Sequence, residues 1–174
     1  MAFRSTIILT ALAASFASVQ AAPANATAFV VLDSKNTTFG TLTYYGRPGA
    51  AVESVDAPAL HRRCGANAIN CDFGSNLAPA GVCDSLISAM QAAGSNGIPG
   101  STRSVCLDPD NQTRCCASWS HPASFQEQNL VPAARSVRNS CNSNGGISGT
   151  SHDTLLGSTC LTQCLSNRPD GCAD

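Results

Sequence analysis

The sequence predicts an α+β fold, a small disulfide-rich two-layer sandwich with two helices packed on an antiparallel sheet. Three observations predict it. Two segments carry apolar residues at helical spacing, several short segments alternate like strands, and ten cysteines crowd into the part of the chain after residue 63. Elements in the order strand, strand, helix, hairpin, helix, strand and disulfide tail suit helices gathered on one face of a sheet.

The N-terminus reads as a targeting segment rather than as part of the fold. Arg4 supplies a positive start, Ile7, Ile8 and Leu9 open an apolar run through Phe16, and Val19 and Ala21 are small residues at the −3 and −1 positions of a cleavage site. Residues 1–21 are therefore expected to be a signal peptide cut after Ala21. The run is short for a membrane crossing, and no later stretch approaches about 18 consecutive apolar residues, so no membrane span is expected. The remainder of the chain is short enough for one domain.

Residues 22–63 hold no cysteine. Within them, Ala28–Leu32 and Thr38–Tyr45 read as strands, joined by a turn-like Asp33–Asn36 and closed by Gly46-Arg47-Pro48-Gly49; residues 50–62 read as a linker. On Thr38–Tyr45, Leu42 and Tyr44 point one way and Phe39, Thr41, Thr43 and Tyr45 the other. Residues 28–46 are expected to join the disulfide-rich body, 64–174, in one domain and to shield a sheet edge. Arg62-Arg63 immediately before Cys64 is also a possible dibasic processing site, and cutting there would release the body from its leader.

Pro79–Ala93 reads as the first helix. Proline is tolerated in the first turn, Val82, Cys83, Leu86, Ile87 and Met90 share a face, and Gly94 is a natural stop. Residues 102–107 and 113–119 read as a hairpin around Asp108-Pro109-Asp110-Asn111. Cys115 and Cys116 are neighbours on its second strand and so face opposite ways. Asn129–Cys141 reads as the second helix, capped by Asn129, with Leu130, Ala134, Val137 and Cys141 along one stripe and Arg135 and Arg138 off it. Residues 147–158 read as further strand broken near Ser151-His152.

The cysteines are Cys64, Cys71, Cys83, Cys106, Cys115, Cys116, Cys141, Cys160, Cys164 and Cys172. An even number after a secretory signal reads as five disulfides in an oxidising compartment. Connectivity stays open, except that Cys83 or Cys141 on a helical core face is expected to bond to Cys115 or Cys116. Extracellular context and only three histidines argue against zinc, and no metal or other cofactor is expected. Sequons at Asn25, Asn36 and Asn111 mark expected glycosylation on surface loops. From Cys64 onward eight acids outnumber five arginines, a balance with no footprint for a phosphate backbone, so nucleic acid is excluded as a partner.

Several motifs together resemble a family of fungal secreted proteins carrying a so-called WD-like domain. They are Arg63-Cys64-Gly65-Ala66-Asn67 with Cys71, Cys83-Asp84-Ser85-Leu86-Ile87, Arg114-Cys115-Cys116-Ala117-Ser118-Trp119-Ser120, and Cys160 through Pro169, with Gly40–Gly46 upstream. The resemblance covers roughly residues 38–172, and its most specific part is the double cysteine ahead of Ser118-Trp119-Ser120. It implies a fungal source and no particular chemistry. The name does not imply a β-propeller, which needs several blades of about 40 residues each and leaves a repeat that this sequence lacks. The layout of helix, cysteine-bearing strand and second helix is also similar to that of fungal killer-toxin-like and necrosis-inducing effectors, an analogy of arrangement only.

Catalytic constellations are sparse. Ser118 and His121 with Asp153 could form a triad, but no Gly-x-Ser-x-Gly elbow accompanies them. His152-Asp153 falls in an expected turn. After Cys64 the carboxylates are Glu127 and seven aspartates, with nothing to mark a catalytic pair. Trp119, the only tryptophan, is expected to pack on the disulfides or, in the sharper reading, to serve as a contact residue. The expected function is that of a secreted non-enzymatic effector or toxin-like protein whose partner is an unknown extracellular protein or glycan. The alternatives are a structural or carbohydrate-binding cell-wall protein and a small secreted hydrolase.

Overall fold

The computed structural model describes residues 29–49, 64, 67–110, 113–170 and 172. Residues 1–21, expected to be a signal peptide, and Asn25, Asn111, Arg62 and Arg63 lie outside these residues. In chain order the elements are β1 (Val30–Thr37), β2 (Gly40–Gly46), β3 (Ala68–Cys71), β4 (Ala78–Pro79), α1 (Ala80–Ala93), β5 (Gly97–Ile98), β6 (Thr102–Asp108), β7 (Cys115–Trp119) and β8 (Phe125–Gln126). A 3-10 turn (Glu127–Leu130) leads into α2 (Val131–Ser140), followed by β9 (Asn142–Ser143), β10 (Gly146–Ile147), β11 (Gly149–Leu156) and β12 (Thr159–Ser166).

Seven strands form one antiparallel sheet in the order β1-β2-β6-β7-β12-β11-β3. Both helices lie on one face, α1 against β6 and β7 and α2 against β11, β12 and β3. This is the two-layer α+β arrangement that the sequence predicts. Alternation along the strands decides what fills the interface. Leu42 and Tyr44 on β2, Val105 and Leu107 on β6, Ala117 and Trp119 on β7, and Leu161 and Leu165 on β12 face the helices and are buried. They meet Leu86 and Met90 of α1, Leu130 ahead of α2, and Val137. Trp119 is fully buried, its ring edge-on to Phe125 with centroids 5.0 Å apart, which makes it core rather than a surface contact.

All ten cysteines pair. Cys83–Cys115 and Cys71–Cys141 tie α1 and the end of α2 to the sheet. On the opposite face Cys106–Cys116 joins two strands, and Cys160 and Cys164 of β12 bond to Cys64 and Cys172, which lie outside the strands. The expected link between a helix cysteine and the neighbouring pair is Cys83–Cys115. Its neighbour Cys116 does turn the other way, but bonds to the adjacent strand, opposite Cys106, rather than to a further layer. At Gly149 an added Cβ would stand 2.6 Å from Cys141 Sγ and 2.9 Å from Asn70 O, so only glycine lets α2's cysteine approach the sheet this closely.

Four sequence readings need correction. Thr159–Ser166, read as a disulfide tail, is an interior strand of the sheet; its alternation of Leu161, Gln163 and Leu165 is that of a half-buried strand whose other side carries Cys160 and Cys164. Ala68–Cys71, read as no element, is the far edge strand. Asp33–Asn36 lie within β1, and the turn is Thr38-Phe39, fastened by Thr37 Oγ1, which donates to Gly40 O at 2.7 Å and accepts the Phe39 N–H at 3.1 Å. An edge strand has a solvated side, so polar residues there do not signal a turn. Finally, α2 begins at Val131, later than the Asn129 start read from sequence, and Asn129 lies in the 3-10 turn ahead of it rather than at its N-cap. The 3-10 turn starts after Gln126, and Asn129 Oδ1 reaches back to accept the Gln126 N–H at 2.9 Å.

Candidate functional site

The 3-10 turn places Glu127 at the edge of the helix layer. Its own N–H donates to Asn96 O at 3.0 Å and that of Gln128 to Gly94 O at 3.1 Å, which fastens the turn to the end of α1. Gly94, at φ 58°, allows the chain to leave α1 in that direction. Alternation on β2 brings Tyr44 beneath the same point, and the β1–β2 register sets Lys35 across from Leu42 on that face.

These three side chains meet. The Tyr44 hydroxyl donates to Glu127 Oε1 at 2.7 Å, and Lys35 Nζ lies 3.4 Å from the same oxygen and 4.7 Å from the centre of the Tyr44 ring. The lysine contact is long for an ammonium–carboxylate hydrogen bond. The Glu127 side chain is wholly buried, whereas that of Lys35 is 42% exposed. Oε2 is also buried and has no hydrogen-bond partner. Burial, above all, pushes the Tyr44 phenol far above its ordinary range, with the hydrogen bond and charge of Glu127 and then Asp33 adding to it. Tyr44 therefore stays a donor at any physiological pH.

A cleft of about 280 Å³ opens beside the three residues. The β1–β2 turn forms one wall with Asn36, Thr37, Thr38 and Phe39, and the C-terminal end of α1 forms the other with Ala89, Ala92 and Ala93. Leu42, Tyr44, Asn96, Lys35 and Glu127 complete the lining. Phe39 is among the exposed large hydrophobic residues.

The residues singled out from sequence lie elsewhere. Ser118 is buried on the sheet face away from the helices, between Ser104 and Cys164 of the flanking strands. His121 Nδ1 sits 3.1 Å from Ser120 Oγ rather than from Ser118, and Ser120 Oγ also accepts the Thr162 N–H at 3.2 Å. His152 lies between Thr150 and Thr162, with ring-nitrogen to hydroxyl distances of 3.1 and 3.2 Å. Asp153 occupies the register break of β11 with φ 54°. Asn36 is exposed but lies within β1 rather than on the surface loop expected of it. Among the described residues there is no group of three or more His, Cys, Asp and Glu able to hold a metal, and no helix long and apolar enough to cross a membrane.

Sequence reasoning did not assemble Lys35, Tyr44 and Glu127, because Glu127 lies 92 and 83 residues away from the other two. A faint signal existed. Lys35 is the only lysine, Glu127 the only glutamate after Cys64, and Tyr44 the inward-facing tyrosine of its strand.

The family model of the fungal WD-like domain matches residues 43–172. The chain belongs to the fungal WD-like family. No curated protein and no solved structure matches it. The matched span begins within β2 and contains every cysteine together with Tyr44 and Glu127, while Lys35 stands upstream of it. In this WD-like protein the domain is a seven-stranded sheet under two helices, an architecture distinct from the radial four-stranded blades of a propeller.

Proposed function

We propose that this fungal WD-like protein acts outside the cell as a non-enzymatic recognition protein, effector or toxin-like in role. Five disulfides suit a protein that works in an oxidising medium. The single observation that carries the reading is the Glu127 site. A wholly buried carboxylate borders a cleft with one oxygen unpaired, and its partners are a phenol and an ammonium rather than a second carboxylate. Glycoside hydrolysis uses two carboxyl groups, one of them as acid, and the raised Tyr44 is a poor substitute for that acid. A donor-hungry oxygen beside an apolar wall suits recognition.

The test is to look for the protein by mass spectrometry in fungal culture filtrate, and to screen the purified chain against chitin, glucans and living fungal and plant cells. Presence in the filtrate and saturable binding to one of these surfaces is the expected result. Retention inside the cell, or no binding to any of them, contradicts it.

The Ser120–His121 contact is the one observation favouring a small hydrolase. Ser120 Oγ is held against a backbone amide of the neighbouring strand and is almost wholly buried, which suits a strand-end fastening. Cleavage of an activated ester should therefore be the same for the wild type and for Ser120→Ala; turnover lost in that variant would restore the hydrolase.

A further inference from the structure

An ionised carboxylate offers about four lone-pair sites. At Glu127 both identified partners, Tyr44 and Lys35, converge on Oε1, and Oε2 is buried and unmet. Leaving a buried acceptor unsatisfied is costly, and more so for a charged group. The charge balance narrows what can meet it. Lys35 already neutralises the carboxylate, so an incoming cation faces the ammonium and an incoming anion faces Glu127. A neutral hydroxyl or amide donor meets neither penalty.

Size and surface narrow it further. About 280 Å³ lies just below the usual range of small-molecule clefts, room for a single ring rather than an extended chain. Phe39, Leu42, Ala89 and Ala93 make part of the lining apolar, and Asn96 adds an amide near Glu127. A pyranose ring has this character, with apolar C–H faces and a rim of hydroxyls. Glu127 Oε2 is buried, so a hydroxyl reaches it only as the half-exposed Lys35 side chain, 3.4 Å from Oε1, shifts within the cleft with its charge still beside the carboxylate.

We propose that the cleft between the β1–β2 turn and the end of α1 binds one neutral hexopyranose unit of an external glycan, a sugar hydroxyl donating to Glu127 Oε2 while the ring packs on Phe39. The proposal rests on the recognition reading above and names its ligand.

The test uses the full disulfide-bonded chain, made without N-glycosylation because the Asn36 sequon lies in the cleft lining. Saturation-transfer NMR and calorimetry are run with oligomers of glucose and N-acetylglucosamine, with cationic glucosamine oligomers and with anionic galacturonic acid oligomers. A neutral oligomer is expected to bind, the charged ones at least tenfold more weakly. Glu127→Gln and Phe39→Ala should each weaken binding tenfold or more. Phe39 is 41% exposed, so Phe39→Ala should melt as the wild type does and keeps the test decisive if Glu127→Gln misfolds. Failure of every neutral oligomer to bind, or preference for a charged one, overturns the proposal. Binding that Phe39→Ala retains in full overturns this cleft as the site and leaves extracellular recognition standing.

Discussion

The two faces of the seven-stranded sheet are built from the same strands and stabilised in different ways. Toward the helices the strands present Leu42, Val105, Leu107, Ala117, Trp119, Leu161 and Leu165; away from them they present Thr43, Ser104, Ser118, Thr162 and Ser166 with Cys106, Cys116 and Cys164. The first set gains the transfer energy of large apolar side chains. The second has little such area to bury. Covalent links occur on both sides but join different things. Toward the helices they bridge layers, closing separations of 32 and 70 residues. On the other side Cys106–Cys116 and Cys164–Cys172 close only 10 and 8 residues, and Cys64–Cys160 reaches across 96. The helix face is thus a hydrophobic core with staples, and the hydroxyl-rich face buries small polar side chains and carries three further covalent bonds. The buried carboxylate and its cleft stand at the margin of the hydrophobic side.

The largest effect expected from this division is that of reducing all five disulfides, since one face has little apolar area to offset their loss. Reduced protein should be unfolded near 37 °C by circular dichroism; a melting temperature that reductant barely alters would mean the helix-face core suffices for both. Next come single bridges. In the chain-entropy picture Cys71→Ala with Cys141→Ala costs about 4 kcal/mol, and Cys164→Ala with Cys172→Ala about 2.5 kcal/mol, because the closed loops differ in length. Guanidinium titration should give that order, and the reverse would contradict loop length as what sets the worth of each bridge. For packing, Leu86→Ala, at a wholly buried position of α1, should cost about 3 kcal/mol. Tyr44→Phe should cost about 2 kcal/mol, since Glu127 Oε1 would keep only the lysine.

The smallest effect concerns acid. The Ser75 hydroxyl, then the Gly74 N–H, hold Asp72 below the usual carboxylate range. Its folded-state pKa being lowered, its contribution is present above the ordinary range and is lost as pH falls through the depressed value. An NMR titration of the Asp72 carboxyl should show the depressed midpoint, and Ser75→Ala should raise it.

Much of this fold is legible in the sequence because it is local. The stripes on α1 and α2, the β6–β7 hairpin and the opposite facing of Cys115 and Cys116 come from residue spacing alone, and spacing also placed Cys83 where it could reach Cys115. The misread strands show what competes with spacing. In β12, cysteines and hydroxyl residues on one side masked a Leu-Gln-Leu alternation on the other. In β1, an edge strand's solvated side admits Asp33, Ser34 and Asn36, which imitate a turn. The site was illegible for a different reason. Lys35, Tyr44 and Glu127 are ordinary residues of a strand, a strand and a short turn, and it takes the pairing of β1 with β2, of β2 with β6 and the docking of the 3-10 turn on α1 to bring them together.

The central claim is that recognition belongs to the cleft at the margin of the hydrophobic face. The most direct measurement is a backbone amide shift map of the labelled protein titrated with a neutral oligosaccharide. The account predicts shifts concentrated at Lys35–Phe39, at Ala89–Asn96 and at Glu127, with Ser104, Ser118 and Ser166 undisturbed. Shifts centred on those three serines, with the cleft unmoved, would contradict it.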